Sequence, residues 1–457
     1  MAAAIDKDLT KGPIPKHFWA LAIPAAVGML FNTLYNVVDV YFAGLVSTAA
    51  QAGLSLGFQI LFLSMALGVG LGAAMGALVG NALGEGDNRL ARRYCAQGIS
   101  FGLLGAVILG GAGQWYGPRL IEFVSADAEY QTTAITYFRL LTLALPGFIV
   151  AAGANGILQA HGDGRSMRRA LVVAFFANLA LNPLLMFGIP GIWDGLGFPG
   201  LAISTIVSQT GVMVYLIRQV VLLDTMEATE TRHFVPDMPR YREIVEQVIP
   251  SGFAFLIMIL AGVVVQFALK DFGEHAVAGY GIGIRLEQLI ILPLMGLSSA
   301  LLPIAAQNLG AKNPDRVREA MFYCWKAGAV IAMIAGPMLW FAGPFFVSLF
   351  TDDAEVIRVG RDYLRVGSVM LYVYLIHFSI TSFLQAAKRP IWSLWISLYR
   401  QAFGVAFFVW LYVGYFGMSE IGVWFGTSTA AATGAIMALF VARHIAREKI
   451  GGLTGAA

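Results

Sequence analysis

The first apolar segment of the chain carries a stripe of polar side chains that ends in a carboxylate. Asp39 is preceded at helical spacings by three other polar residues, Asn32, Tyr35 and Asn36, so that all four lie on one face of a helix. A charged side chain at the bilayer centre costs about 2.5–3.5 kcal/mol on insertion scales. The stripe should therefore face protein or a water-filled cavity. An Asp that only contacts interfacial water is the alternative, but the inward continuation of the stripe favours a functional site.

Two later apolar segments carry amide and hydroxyl side chains that could surround this carboxylate. Asn178 and Asn182 lie one helical turn apart, and the next segment contributes Ser204, Thr205, Ser208 and Gln209. Hard cations prefer such oxygen ligands. Each of these residues taken alone is explained as well by hydrogen bonds between helices. The pattern as a whole indicates oxygen ligands around a single carboxylate.

The second half of the chain has a different set of polar side chains within apolar segments: Glu287, His377, Thr381, Gln385, Ser393, Ser397, Arg400 and Gln401. Arg285 and Glu287 are two residues apart and so point to opposite sides of one helix. Glu287 then needs another partner, which is either Arg400 or solvent. A structural ion pair and a substrate-binding site both remain open for this set.

The elements that position these residues must be membrane-spanning helices. Of the 457 residues, 58% are hydrophobic and 12% charged, against about 25% charged in an ordinary soluble domain. Apolar stretches of about 20–30 residues can cross a hydrocarbon core about 30 Å thick. We predict an all-α integral membrane protein with twelve spans, at 18–43, 53–84, 94–117, 133–160, 170–188, 200–223, 245–269, 276–309, 321–343, 361–387, 391–416 and 421–444.

The chain divides into two similar six-helix halves. One ungapped offset places Pro24 on Pro250 and Arg92 on Arg318, and chance matching of apolar residues does not keep one offset through several spans. An even number of spans in each half gives a parallel repeat about a pseudo-two-fold axis along the membrane normal. We therefore predict an N-terminal lobe at 1–223, a solvated cytoplasmic linker at 224–244 and a C-terminal lobe at 245–457.

The distribution of positive charge predicts the orientation in the membrane. Most of the 30 Lys and Arg residues fall on one side of the predicted spans, and such residues accumulate in cytoplasmic loops. Both termini are then cytoplasmic. The N-terminal apolar run opens the first span without a cleavage site, so no signal peptide is expected. Cys95 and Cys324 lie at cytoplasmic helix starts, where we expect free thiols.

Motifs that would supply energy from ATP or a catalytic zinc are missing from the sequence. It has no Walker loop and no H-E-x-x-H, the patterns of phosphate binding and of a zinc hydrolase. We therefore expect no enzyme and no cofactor, with an ion gradient of H⁺ or Na⁺ as the energy source.

Three motifs resemble those of the MATE family, multidrug and toxic compound extrusion: NVVDVYFAG at 36–44, GNALGEGD at 80–87 and its repeat counterpart AQNLGAKNPD at 306–315. The resemblance extends over nearly the whole chain. It implies two lobes around a V-shaped cavity, alternating access, and export of organic cations and other amphipathic drugs in exchange for H⁺ or Na⁺. A lipid-linked precursor flippase of the same superfamily is the alternative, and it would need a cationic cavity built on Arg285 and Arg400.

Within that family the chain is more similar to the DinF-like branch, because it lacks the acidic pair that the NorM-type branch has on spans seven and ten. The resemblance implies a cation-coupling site, which could also hold Na⁺, at Asp39, Asn178, Asn182 and Thr205. Asn182 stands where the branch has a second Asp, which leaves the ion and the stoichiometry open. Burial penalises the charged form of a lone carboxylate and so favours proton coupling over sodium.

The remaining expectations concern the substrate and the surroundings. Candidates for lining the substrate cavity are Tyr35, Asn36, Asn155, Gln159, Glu287, His377 and Arg400. The expected partners are the lipid bilayer and small-molecule drugs, without nucleic acid, and we expect a monomer. The predicted location is the bacterial inner (plasma) membrane, as a multi-pass protein with both termini in the cytoplasm.

Overall fold

The described part of the chain is built almost wholly of helices. The computed structural model describes residues 8–124 and 128–453, without the side chains of 48–53, 55–64, 123–124 and 128–130. Within these ranges no β-strand occurs, and one isolated bridge joins Ile189 and Trp193 in a short connection. This confirms the predicted all-α class. Residues 1–7 and 454–457, the outer ends of the predicted lobes, lie outside the described residues.

The helices of the first half are α1 (Ile14–Val46), α2 (Thr48–Gly84), α3 (Asn88–Val124), α4 (Ala128–Thr142), α5 (Leu145–Ala160), α6 (Arg165–Phe187) and α7 (Phe198–Val221). Those of the second half are α8 (Met238–Leu269), α9 (Glu274–Gly310), α10 (Pro314–Ser348), α11 (Ala354–Ala386), α12 (Pro390–Leu398), α13 (Gly404–Val409) and α14 (Ile421–Ile450). Two π-helical stretches, Tyr399–Phe403 and Trp410–Tyr415, follow α12 and α13, so that Pro390–Tyr415 forms one span.

Twelve described segments can cross a membrane. Eleven are single helices that are long and apolar enough, and the twelfth consists of α4 and α5, which meet at a bend of 42°. Pro146 lies in the first turn of α5. Because proline lacks an N–H and disfavours helical conformation in the residue before it, the chain does not continue there as one straight helix. The count confirms the predicted number of spans, with 133–160 as a broken one.

One compact unit comprises, among the described residues, Asp8 and Val27–Gly252. Its core is formed by buried side chains that include Leu71 of α2 and Val150 of α5. These two helices approach so closely that a Cβ atom on Gly156 would lie 2.1 Å from the carbonyl oxygen of Gly72. Glycine at such a crossing lets two backbones pack together inside a membrane. Helices α2 and α5 also contribute Met65 and Phe148 to the cavity lined by the polar residues of α1.

The other compact unit comprises, among the described residues, Leu9–Ala26 and 253–453. Its core joins α9, α10, α11 and α14, and the start of α1 contributes Phe18 and Leu21 to the same core. Leu297 of α9 and Leu371 of α11 are fully buried there. This packing brings the polar residues of α9, α11 and α12 into the interior of a single unit.

Helices α1 and α8 each contribute to both units. The units divide α1 after Ala26 and α8 after Gly252, and a proline lies shortly before each division, Pro24 or Pro250. A proline inside a helix removes one backbone hydrogen bond and permits a kink. The lobe limits at 1–223 and 245–457 stay a prediction about the repeat, because the packing units divide the chain elsewhere.

The segment 224–244, predicted as a solvated linker, has many exposed residues and is also hydrogen-bonded to the first unit. The Gln97 side chain donates to the backbone oxygens of His233 and Val235, over 2.6 and 2.8 Å, and accepts from the N–H of Asp237 over 2.9 Å. Arg92 donates to the carbonyl oxygen of Thr225 over 2.8 Å. Because side chains of α3 satisfy its backbone groups, the segment packs on the helices.

Candidate functional site

The Asp39 carboxylate lies in the interior of the first unit and is fully buried. Its Oδ1 accepts two hydrogen bonds of 3.0 Å, from the Nδ2 atoms of Asn178 and Asn182. Its Oδ2 accepts one of 3.3 Å from the Thr205 hydroxyl. The structure therefore brings together the four residues of the predicted cation-coupling site, one from α1, two from α6 and one from α7.

The two amides beside Asp39 are also bonded to each other and to a fifth residue. Asn178 and Asn182 exchange hydrogen bonds of 3.2 and 3.1 Å between their side chains. Asn178 donates to the Ser204 hydroxyl over 3.0 Å, and that hydroxyl in turn donates to Oδ1 of Asn182. Ser204 is part of the oxygen pattern in the sequence but not of the predicted coupling site, because spacing alone does not separate it from its neighbour Thr205.

All the hydrogen-bond partners of Asp39 are uncharged. A buried carboxylate without a basic partner is costly unless hydrogen bonds, a proton or a cation compensate its charge. Among the described residues no three His, Cys, Asp or Glu side chains converge on a common point. A metal ion here would therefore be held by one carboxylate with amide and hydroxyl oxygens. The amide N–H groups face Asp39 while the amide oxygens face the neighbouring amide or Ser204, which suits a carboxylate better than a metal ion.

A small cavity of about 30 Å³ lies next to this site. Its lining consists of Asn32, Tyr35, Asn36, Met65, Phe148, Thr205 and Gln209. Thr205 thus contacts the cavity and the Asp39 carboxylate together. The volume exceeds the roughly 10–15 Å³ that one water molecule requires. The polar stripe predicted on α1 therefore faces a water-sized space, with Tyr35 and Asn36 in its wall.

Two predicted cavity residues on α5 lie apart from this space. Asn155 and Gln159 are half-buried, and neither lines the cavity beside Asp39. The Asn155 side-chain oxygen is buried without a hydrogen-bond partner. Their proposed contact with substrate stays a prediction.

Glu287 of α9 belongs to a second polar cluster, inside the other unit. The residue is 5% exposed, and one of its carboxylate oxygens accepts a hydrogen bond from the Tyr363 hydroxyl of α11. The other oxygen, Oε1, has no hydrogen-bond partner among the described residues. Arg285 is exposed, as its spacing from Glu287 predicts. The hydrogen-bond partner of Glu287 is thus Tyr363, which only the packing of α11 on α9 reveals, while Arg400, the partner that the sequence suggests, interacts with the carboxylate through its charge.

Arg400 follows α12 in the first π-helical stretch and lines a cavity of about 190 Å³ in the same unit. Its Cζ atom lies 5.4 Å from the centre of the Tyr374 ring. In the described part of the chain, no carboxylate lies within hydrogen-bond distance of its guanidinium. His377 is 4% exposed, and its Nδ1 has no hydrogen-bond partner there. The cluster therefore keeps several polar groups without protein partners.

Comparison with known proteins places the chain among membrane transporters. A family model described as MatE matches residues 24–184 and 250–410. The chain is 27% identical to an FAD transporter of Shewanella oneidensis, over 86% of each chain. It is 23% identical to the probable multidrug resistance protein NorM of Thermotoga maritima, over 90% of this chain and 89% of the relative. A crystal structure of a MATE protein in complex with MaL6 shares the fold, with a TM-score of 0.89 at 22% identity over 98% of this chain and 99% of the other.

Proposed function

The chain belongs to the MatE family, and we propose that it exports amphipathic drugs through the membrane in exchange for a cation that binds at Asp39. The observation that carries the proposal is the fully buried carboxylate held by three neutral donors. Its charge is balanced by hydrogen bonds alone, so that arrival of a proton or a cation changes the energy of the site more than it would in water. A site of this kind can couple an ion gradient to the movement of a second solute.

The coupling ion that the site fits best is a proton. Two amide N–H groups and one hydroxyl point at the carboxylate, so that the amides present hydrogens and not oxygens to Asp39. Sodium would require the amides to turn their oxygens inward and would be neutralised by a single carboxylate. A proton needs neither change.

The transport cycle follows from this chemistry as alternating access. Protonation of Asp39 from the outer side removes the charge that the amides stabilise and loosens the contact between α1 and α6. Pro24 gives α1 a point at which it can bend. Bending of α1 then changes the space beside Tyr35 and Asn36 and weakens retention of a cationic drug, which leaves to the outside.

The test is export by the Asp39→Asn variant. Asn keeps the size of the side chain and removes only the ionisable group, so we expect normal expression and loss of drug efflux from proteoliposomes under an imposed proton gradient. Asp194→Asn is the matched control, because Asp194 is exposed in the connection before α7. Undiminished efflux by the Asp39 variant contradicts the proposal, and efflux driven by sodium alone contradicts proton coupling.

Flavin export is a second candidate, favoured by the 27% identity to the relative named an FAD transporter. The same proteoliposomes loaded with FAD distinguish it from drug export. The lipid-linked precursor flippase is the third reading; it needs both Arg285 and Arg400 in one cationic cavity, whereas Arg285 is exposed and does not line the Arg400 cavity. A lipid-flipping assay with the purified protein tests it.

A further inference from the structure

The cavity that Arg400 lines, called the Arg400 cavity below, has walls of unusual chemistry for a membrane interior. Its volume of about 190 Å³ is many times that of the cavity beside Asp39. The polar and aromatic residues in its lining are Tyr280, Tyr363, Tyr374, Arg400, Gln401, Trp424, Thr427 and Ser428. All of them lie in one packing unit. The cavity is therefore a feature of that unit alone, independent of the Asp39 site.

Three of the rings form a continuous aromatic wall. Trp424 stacks on Tyr280, with centroids 5.6 Å apart and planes 17° from parallel. Tyr363 meets Trp424 edge to face, with centroids 5.1 Å apart. Such rings pack favourably against a further flat ring. The wall is thus suited to a planar aromatic molecule.

Polar atoms on the cavity lining have no protein partner. Trp424 is 1% exposed, yet its indole N–H makes no hydrogen bond, and the side-chain oxygen of Gln401, 8% exposed, also makes none among the described residues. Leaving such groups unpaired costs about 1–3 kcal/mol each. Both residues line the same cavity, and we take their unpaired atoms as groups that a bound molecule could satisfy.

The charge in the lining comes from Arg400. Its guanidinium lies over the Tyr374 ring, and no carboxylate forms an ion pair with it at contact distance in the ranges that the structure describes. Glu287, a buried acid of the same unit, interacts with this charge at longer range, but its carboxylate is hydrogen-bonded to Tyr363 and does not line the cavity. An arginine in a membrane interior without an ion-pair partner in contact with it is costly. A ligand with a carboxylate or phosphate would pair with the guanidinium fork.

We propose that the Arg400 cavity is a binding site for planar aromatic anions, with Arg400 holding the anionic group and the rings of Tyr280, Tyr363 and Trp424 holding the aromatic system. The indole N–H of Trp424 donates a further hydrogen bond, and the Gln401 oxygen accepts one from the ligand. Cationic ligands are disfavoured, because Arg400 repels them. This inference concerns binding alone and does not depend on whether export is coupled to Asp39.

The experiment measures binding of three indole compounds to the purified full-length protein by isothermal titration. Indole-3-acetate carries an anionic group, indole-3-acetamide is its neutral counterpart, and tryptamine presents the same ring on a cation. We expect indole-3-acetate to bind at least about tenfold more tightly than the amide, the scale of one hydrogen bond to a charged group. Tryptamine should bind most weakly. Equal affinities for the acetate and the amide, or tightest binding of tryptamine, would overturn the proposal.

Variants assign that preference to the cavity. Arg400→Gln should abolish the preference for the acetate over the amide, and Arg400→Lys, which keeps the charge but not the fork, should reduce it. Arg119→Gln is the matched control, because Arg119 also lies over an aromatic ring, 5.2 Å from Trp115, but in the other unit and exposed. If both the Arg400→Lys variant and a folded Arg400→Gln variant keep the full preference for the acetate over the amide, Arg400 does not hold the anionic group. Asp39→Asn should leave all three affinities as they are, which separates this result from that of the export assay.

Discussion

Asn182 donates a hydrogen bond of 3.0 Å from Nδ2 to Oδ1 of Asp39, at the position where the resemblance to the DinF-like branch implies a second acid. The amide thus fills the place of a carboxylate and supplies a donor where an acid would supply another negative charge. Burial favours the protonated form of this lone carboxylate, which the three donors offset in part, and a single charge gives a metal ion less attraction than two charges would.

The first prediction concerns a variant in which Asn182 is replaced by the expected acid. Asn182→Asp places a second carboxylate within hydrogen-bond distance of the first, and two acids so close do not both stay ionised without a cation. We expect sodium to raise the thermal midpoint of the variant and not that of the unmodified protein. Asn155→Asp, on α5 and away from Asp39, serves as the control. A variant that is insensitive to sodium would show that the site cannot hold the ion even with two charges.

The second prediction concerns Gly367, against which the Glu287 carboxylate packs. A Cβ atom on Gly367 would lie 2.7 Å from Oε1 of Glu287, so Gly367→Ala must displace the carboxylate and strain its bond to Tyr363. We expect a loss of about 1–3 kcal/mol of stability, as for other overpacked interiors, seen as a lower midpoint in heated samples analysed by size exclusion. At Gly281, where a Cβ meets no atom within 4 Å, alanine should be neutral or stabilise by up to about 1 kcal/mol. Similar midpoints for both variants would contradict the packing.

The third prediction tests the anchored segment 224–244. Gln97→Leu removes the side chain that bonds two carbonyl oxygens and one N–H of this segment. The released backbone should open locally and be cleaved several-fold faster by a soluble protease, because proteolysis follows local unfolding. Glu227→Gln, at an exposed position within the segment, should leave the rate unchanged. Equal rates in all three proteins would mean that Gln97 does not hold the segment.

The fourth prediction concerns orientation, which rests on the Lys and Arg count alone. Tags at either terminus should be inaccessible to impermeant reagents in intact cells and accessible after permeabilisation, since positive residues accumulate in the cytoplasm. A tag in the connection 189–197 should show the opposite behaviour. Labelling of either terminus from outside would refute the predicted topology.

Much of the Asp39 site could be predicted from the sequence, because a charge within an apolar helix is rare and helical spacing shows which neighbours share its face. The partners on α6 and α7 followed from their residue types and, for Thr205, from the resemblance. Ser204 could not be separated from Thr205, because adjacent positions differ by the rotation of a helix, which packing determines.

The second cluster was harder to predict, because its contacts join helices far apart in the chain. The bond between Tyr363 and Glu287 depends on how α11 packs on α9. The π-helical stretch that carries Arg400 contains no proline or glycine from which it could be predicted. Gly404 is the first residue of the helix that follows it. Trp424 lies on α14, in another span than Arg400 and Gln401, so helical spacing within one segment could not show that the three residues line one cavity.

The hydroxyl of Thr205 has two acceptors within reach, Oδ2 of Asp39 at 3.3 Å and the carbonyl oxygen of Leu201 at 3.2 Å. An amide N–H can only donate, whereas a hydroxyl both donates and accepts. A proton that arrives at Asp39 is therefore accommodated on Oδ2, where Thr205 can turn its own hydrogen toward Leu201 and accept from the new acid. On Oδ1 it would collide with the hydrogens of two amides. We therefore expect the Thr205 hydroxyl to change its direction when Asp39 is protonated. The direction of this O–H bond would link the protonation state of Asp39 to the backbone of α7.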